Sequence, residues 1–158
     1  MKKNLVLVLA LLGALLGLSA CNDLSSPEST LASAAAAASK NNLKDLQGTL
    51  AGDALATYGN AAGMALIQKQ LAGFDVKTAN KKYMGLRRLN YRHEVYTYSL
   101  DVMVRAKGTK DYSKLWATIV ACDWHRGHPG HYHGGRGGID MPDTDIPDST
   151  ECKITELK

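Results

Sequence analysis

The chain opens on an uncharged, mostly apolar run over residues 4–18, preceded only by Met1, Lys2 and Lys3. No later stretch repeats that pattern; from Pro27 onward apolar and polar residues are interleaved, first at helical and then at strand spacing. Ser26-Pro27-Glu28 reads as a helix start: Ser is an N-cap, Pro occupies a first-turn position whose amide has no partner, and an acid follows. The alanine-rich run 31–38 continues that helix. Alanine has the highest helix propensity but little area to bury, so this helix either packs closely against something or is a surface stalk. Asn42 caps a second short helix through Leu43 and Leu46, broken near Gly48. A junction at Thr49, Leu50 and Gly52 leads into helical segments over 53–58 and 61–71. In the last, Met64, Ile67 and Leu71 share one face, and Gly73 is a C-terminal stop.

From Phe74 the period changes. Residues 74–84 alternate weakly and are rich in Lys and Thr, whereas residues 91–105 alternate strongly. Tyr96, Tyr98, Leu100, Val102 and Val104 point one way, and Thr97, Ser99 and Asp101 the other, which predicts a long strand with one buried face. Gly108 and its polar neighbours make a turn. A second strong strand over 114–123 carries Trp116, Ile119 and Val120, and 151–157 is a final strand. The pattern predicts a single α+β domain over 27–158, with helices over about 27–73, strands over about 74–158, and a His- and Gly-rich hairpin loop over 123–150. A loop of that length is far beyond the usual few residues of a hairpin and is expected to be functional, disordered, or both.

Composition narrows the function classes. The formal charge of +4 includes Lys2 and Lys3, and without them +4 less two leaves +2. That is too small to argue for nucleic acid as a partner. Of the three cysteines, Cys122 and Cys152 are the even pair; in an oxidising compartment they are most simply a disulfide at the base of the loop, with free or metal-binding thiols as the alternative.

The first twenty residues have the order of a secretory signal: basic, apolar, then small residues. Leu18-Ser19-Ala20-Cys21 resembles the lipobox of bacterial lipoproteins, in which the Cys thiol is acylated and the peptide is cut just before it. The resemblance implies a signal peptide over 1–20, lipidation of Cys21 with fatty acyl groups such as palmitate, and a polar tether over 21–26. The mature chain is then held on a lipid bilayer without spanning it. In a Gram-negative cell, Asn22 rather than Asp after the Cys implies sorting to the outer membrane, on its periplasmic face.

Helices first and a long-stranded antiparallel sheet last, with Asn41-Asn42-Leu43 leading into Leu50 and Gly52, weakly resembles the nuclear transport factor 2-like small lipoproteins. That resemblance implies a curved, cone-like antiparallel sheet with the N-terminal helices packed on it and a pocket at its open end.

Candidate chemistry concentrates in one segment. His125, His128, His131 and His133 fall within nine residues and are followed by glycines and by Asp140, Asp143, Asp145 and Asp148. Neutral imidazoles suit Zn, Cu or Ni; a solvated low-complexity loop is the plainer reading. Asp101 and His93, with Tyr91, lie on the polar strand face, where a ketosteroid-isomerase-like enzyme would place its base. No triad or metal-protease spacing accompanies them. Lys81, Lys82, Arg87, Arg88 and Arg92 form a basic stretch that suits lipid head groups, an acidic partner, or plain solvent. The leading expectation is a non-enzymatic, membrane-anchored periplasmic domain that binds a protein or small-molecule partner. The alternatives are a metal-binding lipoprotein using the His-rich segment and an isomerase-like enzyme.

Overall fold

The computed structural model describes residues 22–127 and 148–158. Helices α1 (Pro27–Ser39), α2 (Leu43–Thr49), α3 (Gly52–Tyr58) and α4 (Ala61–Leu71) precede strands β1 (Phe74–Asn90), β2 (His93–Ala106), β3 (Ser113–His125) and β4 (Ser149–Leu157). The expected signal segment 1–20, Cys21, His128, His131, His133, Asp140, Asp143 and Asp145 lie outside the described residues.

The helix starts follow their caps. Ser26 accepts from the Ser29 amide while the Ser29 side chain bonds back to the Ser26 amide, a reciprocal capping box ahead of Pro27. Asn42 accepts from the Asp45 amide and Asn60 from the Gly63 amide, starting α2 and α4 in the same way. Gly73 takes φ +82° just past α4, the left-handed turn that glycine permits and that releases the chain into β1.

The alanine helix is a packing element rather than a stalk. Its small residues Ala34, Ala37 and Ala38 are buried together with Leu31, in one cluster with Leu46, Leu50, Met64, Ile67, Leu100, Val102, Trp116, Val120 and Ile154. Short side chains let α1 approach the sheet closely enough for Thr30, itself fully buried, to bond the Ser26 carbonyl at 2.8 Å and the Cys152 carbonyl at 3.3 Å. Buried hydroxyls need such partners. Met64 and Ile67 bring α4 onto the same core, with Leu71 half-buried at its edge.

The strands form a meander in the order β1-β2-β3-β4, every neighbouring pair antiparallel. The expected curved, cone-like sheet is not found: the sheet is open, neither curved nor closed into a cone, and β1 does not meet β4. The reason lies at the outer edge of β4, where chain from the N-terminal half takes the places a further strand would need. The Cys152 amide donates to the Leu24 carbonyl, the Ala51 amide donates to the Ile154 carbonyl, and Leu50 bridges Ile154. An edge satisfied in this way cannot pair onward.

Two other boundaries differ from the sequence pattern. The β3–β4 ladder runs past Cys122↔Cys152 through Asp123↔Glu151 and Trp124↔Thr150 to His125↔Ser149, so both ends of the expected 123–150 loop are strand. Below them the Gly127 amide donates to Asp148 Oδ1 at 2.8 Å. Residues 22–26, expected as a polar tether, lie against the domain: Asn22 donates to the Asp45 carbonyl, and the Ser33 hydroxyl to the Asp23 carbonyl.

Candidate functional site

Alternation along β2 gives its even positions to the helix side, but the helices cover only part of that face. Leu100, Val102 and Val104 are buried, while Tyr98 and Tyr96, one and two pleats further toward the β1–β2 turn, are only half-buried. They sit opposite Cys122 and Val120 on β3, and Trp124 stands opposite Glu94 one pleat beyond. The start of α1 stops short of them. The result is a cleft of about 370 Å³ with Tyr96, Tyr98 and Trp124 on the sheet side, Ser26 and Pro27 on the helix side, and Lys81 and Thr150 at the rim.

Polar contacts flank the cleft. Lys81 on β1 pairs with Glu28 in the first turn of α1 at 2.6 Å, and its ammonium lies 5.9 Å from the Tyr98 ring. Tyr83 meets Tyr98 edge-on at 5.9 Å between centroids, a favoured aromatic arrangement. At the far end the Tyr96 hydroxyl donates to Glu94 Oε2 at 2.6 Å, and Arg88 donates to Glu94 Oε1 at 2.7 Å. Those two donors, the Tyr96 hydroxyl first, hold the Glu94 carboxyl below the usual range; the same bond raises the Tyr96 phenol above its own. Flat aromatic faces beside fixed charges are what a small polar or aromatic ligand needs for stacking and orientation. The cavity inside the core, by contrast, holds about 30 Å³ among Leu31, Ala34, Ile67 and Trp116; that is room for one water and for no ligand.

The sheet face away from the helices carries the residues singled out for acid–base chemistry, and the structure separates them. Asp101 accepts from Asn80 at 2.7 Å and pairs with Lys114 at 2.9 Å. These partners, Asn80 first, lower its pKa, so it is a carboxylate tied into a surface network. His93 lies at the opposite end of β2, with Nε2 3.0 Å from Asp123 Oδ1. Its ring stacks on His125, its register partner, at 4.0 Å between centroids. Neither Asp101 nor His93 lines the aromatic cleft or the core cavity.

The predicted disulfide is present, joining Cys122 to Cys152. The two are directly opposed across the ladder, and Cys122 forms part of the cleft floor. Of the four histidines assigned to a metal site, His125 is described, at the end of β3, and among the described residues no group of three or more potential ligands converges there.

Sequence reasoning missed the cleft. It assigned Tyr96 and Tyr98 to a wholly buried face and placed Trp124 in the loop. Their chemistry was the available signal: Tyr and Trp carry a polar tip that a sealed core does not accommodate freely. Among known protein families, curated proteins and solved structures, none matches this chain.

Proposed function

We propose that this chain is exported on residues 1–20, acylated at Cys21, and held on a bilayer as a non-enzymatic binding domain that takes its partner or small ligand in the aromatic cleft. In a Gram-negative cell the site of anchoring is the periplasmic face of the outer membrane. The observation that carries the reading is the group Tyr96, Tyr98 and Trp124, left half-buried in a cleft beside the start of α1 while Leu100, Val102 and Val104 of the same strand face are sealed. The lipobox-like Leu18-Ser19-Ala20-Cys21 carries the anchoring part. The disulfide agrees with an oxidising compartment.

Two experiments test it. Titration of the chain beginning at Asn22 with anilinonaphthalene sulfonate, an amphipathic aromatic anion, is expected to give saturable fluorescence enhancement that falls at least several-fold in Trp124→Ala and Tyr98→Ala. Enhancement unchanged in both variants would place binding elsewhere. Replacing Cys21 by Ala in the full precursor should abolish labelling by fatty acid and leave the signal uncut; persistent labelling removes the anchor.

A second reading has its own support. His93 stacks on His125 with Asp123 beside it, which puts another imidazole and a carboxylate at the described end of the His-rich segment 125–133. Metal handling through His125, His128, His131 and His133 then requires stoichiometric binding of Zn, Cu or Ni that is lost when the four are Ala. Calorimetric titration showing no binding tighter than the micromolar range would end it.

A further inference from the structure

The distal half of β1 and its turn into β2 offer side chains to solvent that a strand facing only water would not carry. Tyr83, Met84 and Tyr91 are 57%, 59% and 74% exposed, and Leu86 and Leu89 are 42% and 48% exposed. They follow one another along one hairpin, with Tyr83 and Leu86 on the helix-side face opposite Tyr98 and Tyr96, and Met84 and Leu89 at register shifts of the edge strand; such clustering along one edge differs from the scattered single apolar residues normal on a surface. Arg87 and Arg88 stand among them, with Lys81 and Lys82 just before and Arg92 just after, and no acid occurs from Val76 to Arg92. Arg87 and Arg92 make no ion pair among the described residues, and the Arg92 guanidinium lies 5.0 Å from the Tyr91 ring at the hairpin tip.

Three occupants would cover such a surface, and the geometry separates them. A polypeptide adding to the free edge of β1 needs an unbroken run of backbone groups. The register of β1 shifts between Ala79 and Lys82, between Tyr83 and Gly85, and between Arg88 and Asn90. Bulges and edge lysines of this kind obstruct strand addition. A second copy paired through the same hairpin would set cations against cations. An anionic bilayer has neither difficulty: it needs no backbone register, its head groups accept Lys and Arg, and Tyr with short aliphatic residues suits the boundary between head groups and acyl chains.

We infer that the β1–β2 hairpin, through Tyr83, Met84, Leu86, Leu89 and Tyr91 and the cations beside them, lies on a membrane surface bearing anionic phospholipid. The contact does not depend on acylation of Cys21; Tyr83 borders the cleft through Tyr98, so the test variants are placed at Arg87, Leu89, Tyr91 and Arg92, which do not line it.

The test uses the chain beginning at Asn22, which keeps every residue of the core and sheet and has no acyl group. It is sedimented with vesicles of phosphatidylcholine alone and of equal parts phosphatidylcholine and phosphatidylglycerol. Binding is expected to the anionic vesicles only, at least about tenfold weaker in Arg87→Glu with Arg92→Glu, weaker also in Leu89→Ser with Tyr91→Ser, and reduced by salt. All four positions are exposed, so melting temperatures should stay near that of the parent, which separates lost contact from lost fold. Equal binding to both vesicles, or variants that bind like the parent, would overturn the proposal. So would a chain that ignores anionic vesicles but binds polyglutamate, which assigns the hairpin to an acidic polypeptide.

Discussion

The amide of Cys152 donates to the carbonyl of Leu24 across 2.7 Å. Its cross-strand side is therefore free for the disulfide to Cys122, and its outer side is closed by the segment that follows Cys21. In the proposed anchored form the domain has almost no slack from its acyl group: Asn22 is already bonded to the Asp45 carbonyl.

Starting the chain at Pro27 instead of Asn22 removes the Leu24 acceptor and the Ser26 cap together. One buried hydrogen bond and one N-cap are worth roughly 2 kcal/mol in sum, and the β4 edge is freed at Cys152 while Leu50 and Ala51 still cover it at Ile154. Urea denaturation is expected to show that loss, and sedimentation some self-association; equal stability of the two chains would mean that residues 22–26 are only a tether.

The disulfide closes a loop with a sequence separation of 30. On the chain-entropy estimate it stabilises the fold by about 3.5 kcal/mol. Cys122→Ala with Cys152→Ala should lower the denaturation midpoint accordingly. Because Cys122 is part of the cleft floor, the same variant should also weaken anilinonaphthalene sulfonate binding.

Acid should weaken the fold through Glu94 and Asp101. Both carboxyls have folded pKa values below the ordinary ones, Glu94 through Tyr96 and Arg88, Asp101 through Asn80 and Lys114. A depressed carboxyl contributes stability that is present above its unfolded pKa, about 4, and is lost as pH falls through the folded value. Melting curves should drop below about pH 4, less steeply in Glu94→Gln with Asp101→Asn. An unchanged slope would show that other groups govern the acid limb.

The two tryptophans should report separately. Trp116 is 8% exposed within the core, and Trp124 is half-buried in the cleft. Trp124→Phe is expected to leave a blue-shifted emission that acrylamide quenches poorly, and Trp116→Phe a red-shifted one that it quenches well. Similar quenching of both would mean that the cleft is closed in solution.

Leu46 is fully buried where α2 meets the core. Leu46→Ala should cost about 2 to 5 kcal/mol, measured by denaturant titration. A loss below about 1 kcal/mol would mean that α2 contributes little to the core.

Much of the architecture was legible because it is local. Ser26, Asn42 and Gly73 punctuate the helices with backbone chemistry that acts within a few residues, and the period of two from Tyr96 to Val104 needs only a strand and one apolar face. The order of elements and the α+β class follow from these. The Cys pair was legible by count, and its exact opposition across β3 and β4 agrees with the expected clamp.

What the sequence left open depends on contacts distant along the chain. Alternation marked Tyr96 and Tyr98 as inward, but how far α1 reaches along the sheet decides that they line a cleft while Leu100 to Val104 are sealed. Nothing near Leu24 or Ala51 shows that they close the edge of β4, and that closure is what keeps the sheet open where a cone was expected. Periodicity reports which side of an element is apolar; only the tertiary structure determines what covers it, because burial is a property of the partner surface as well as of the residue.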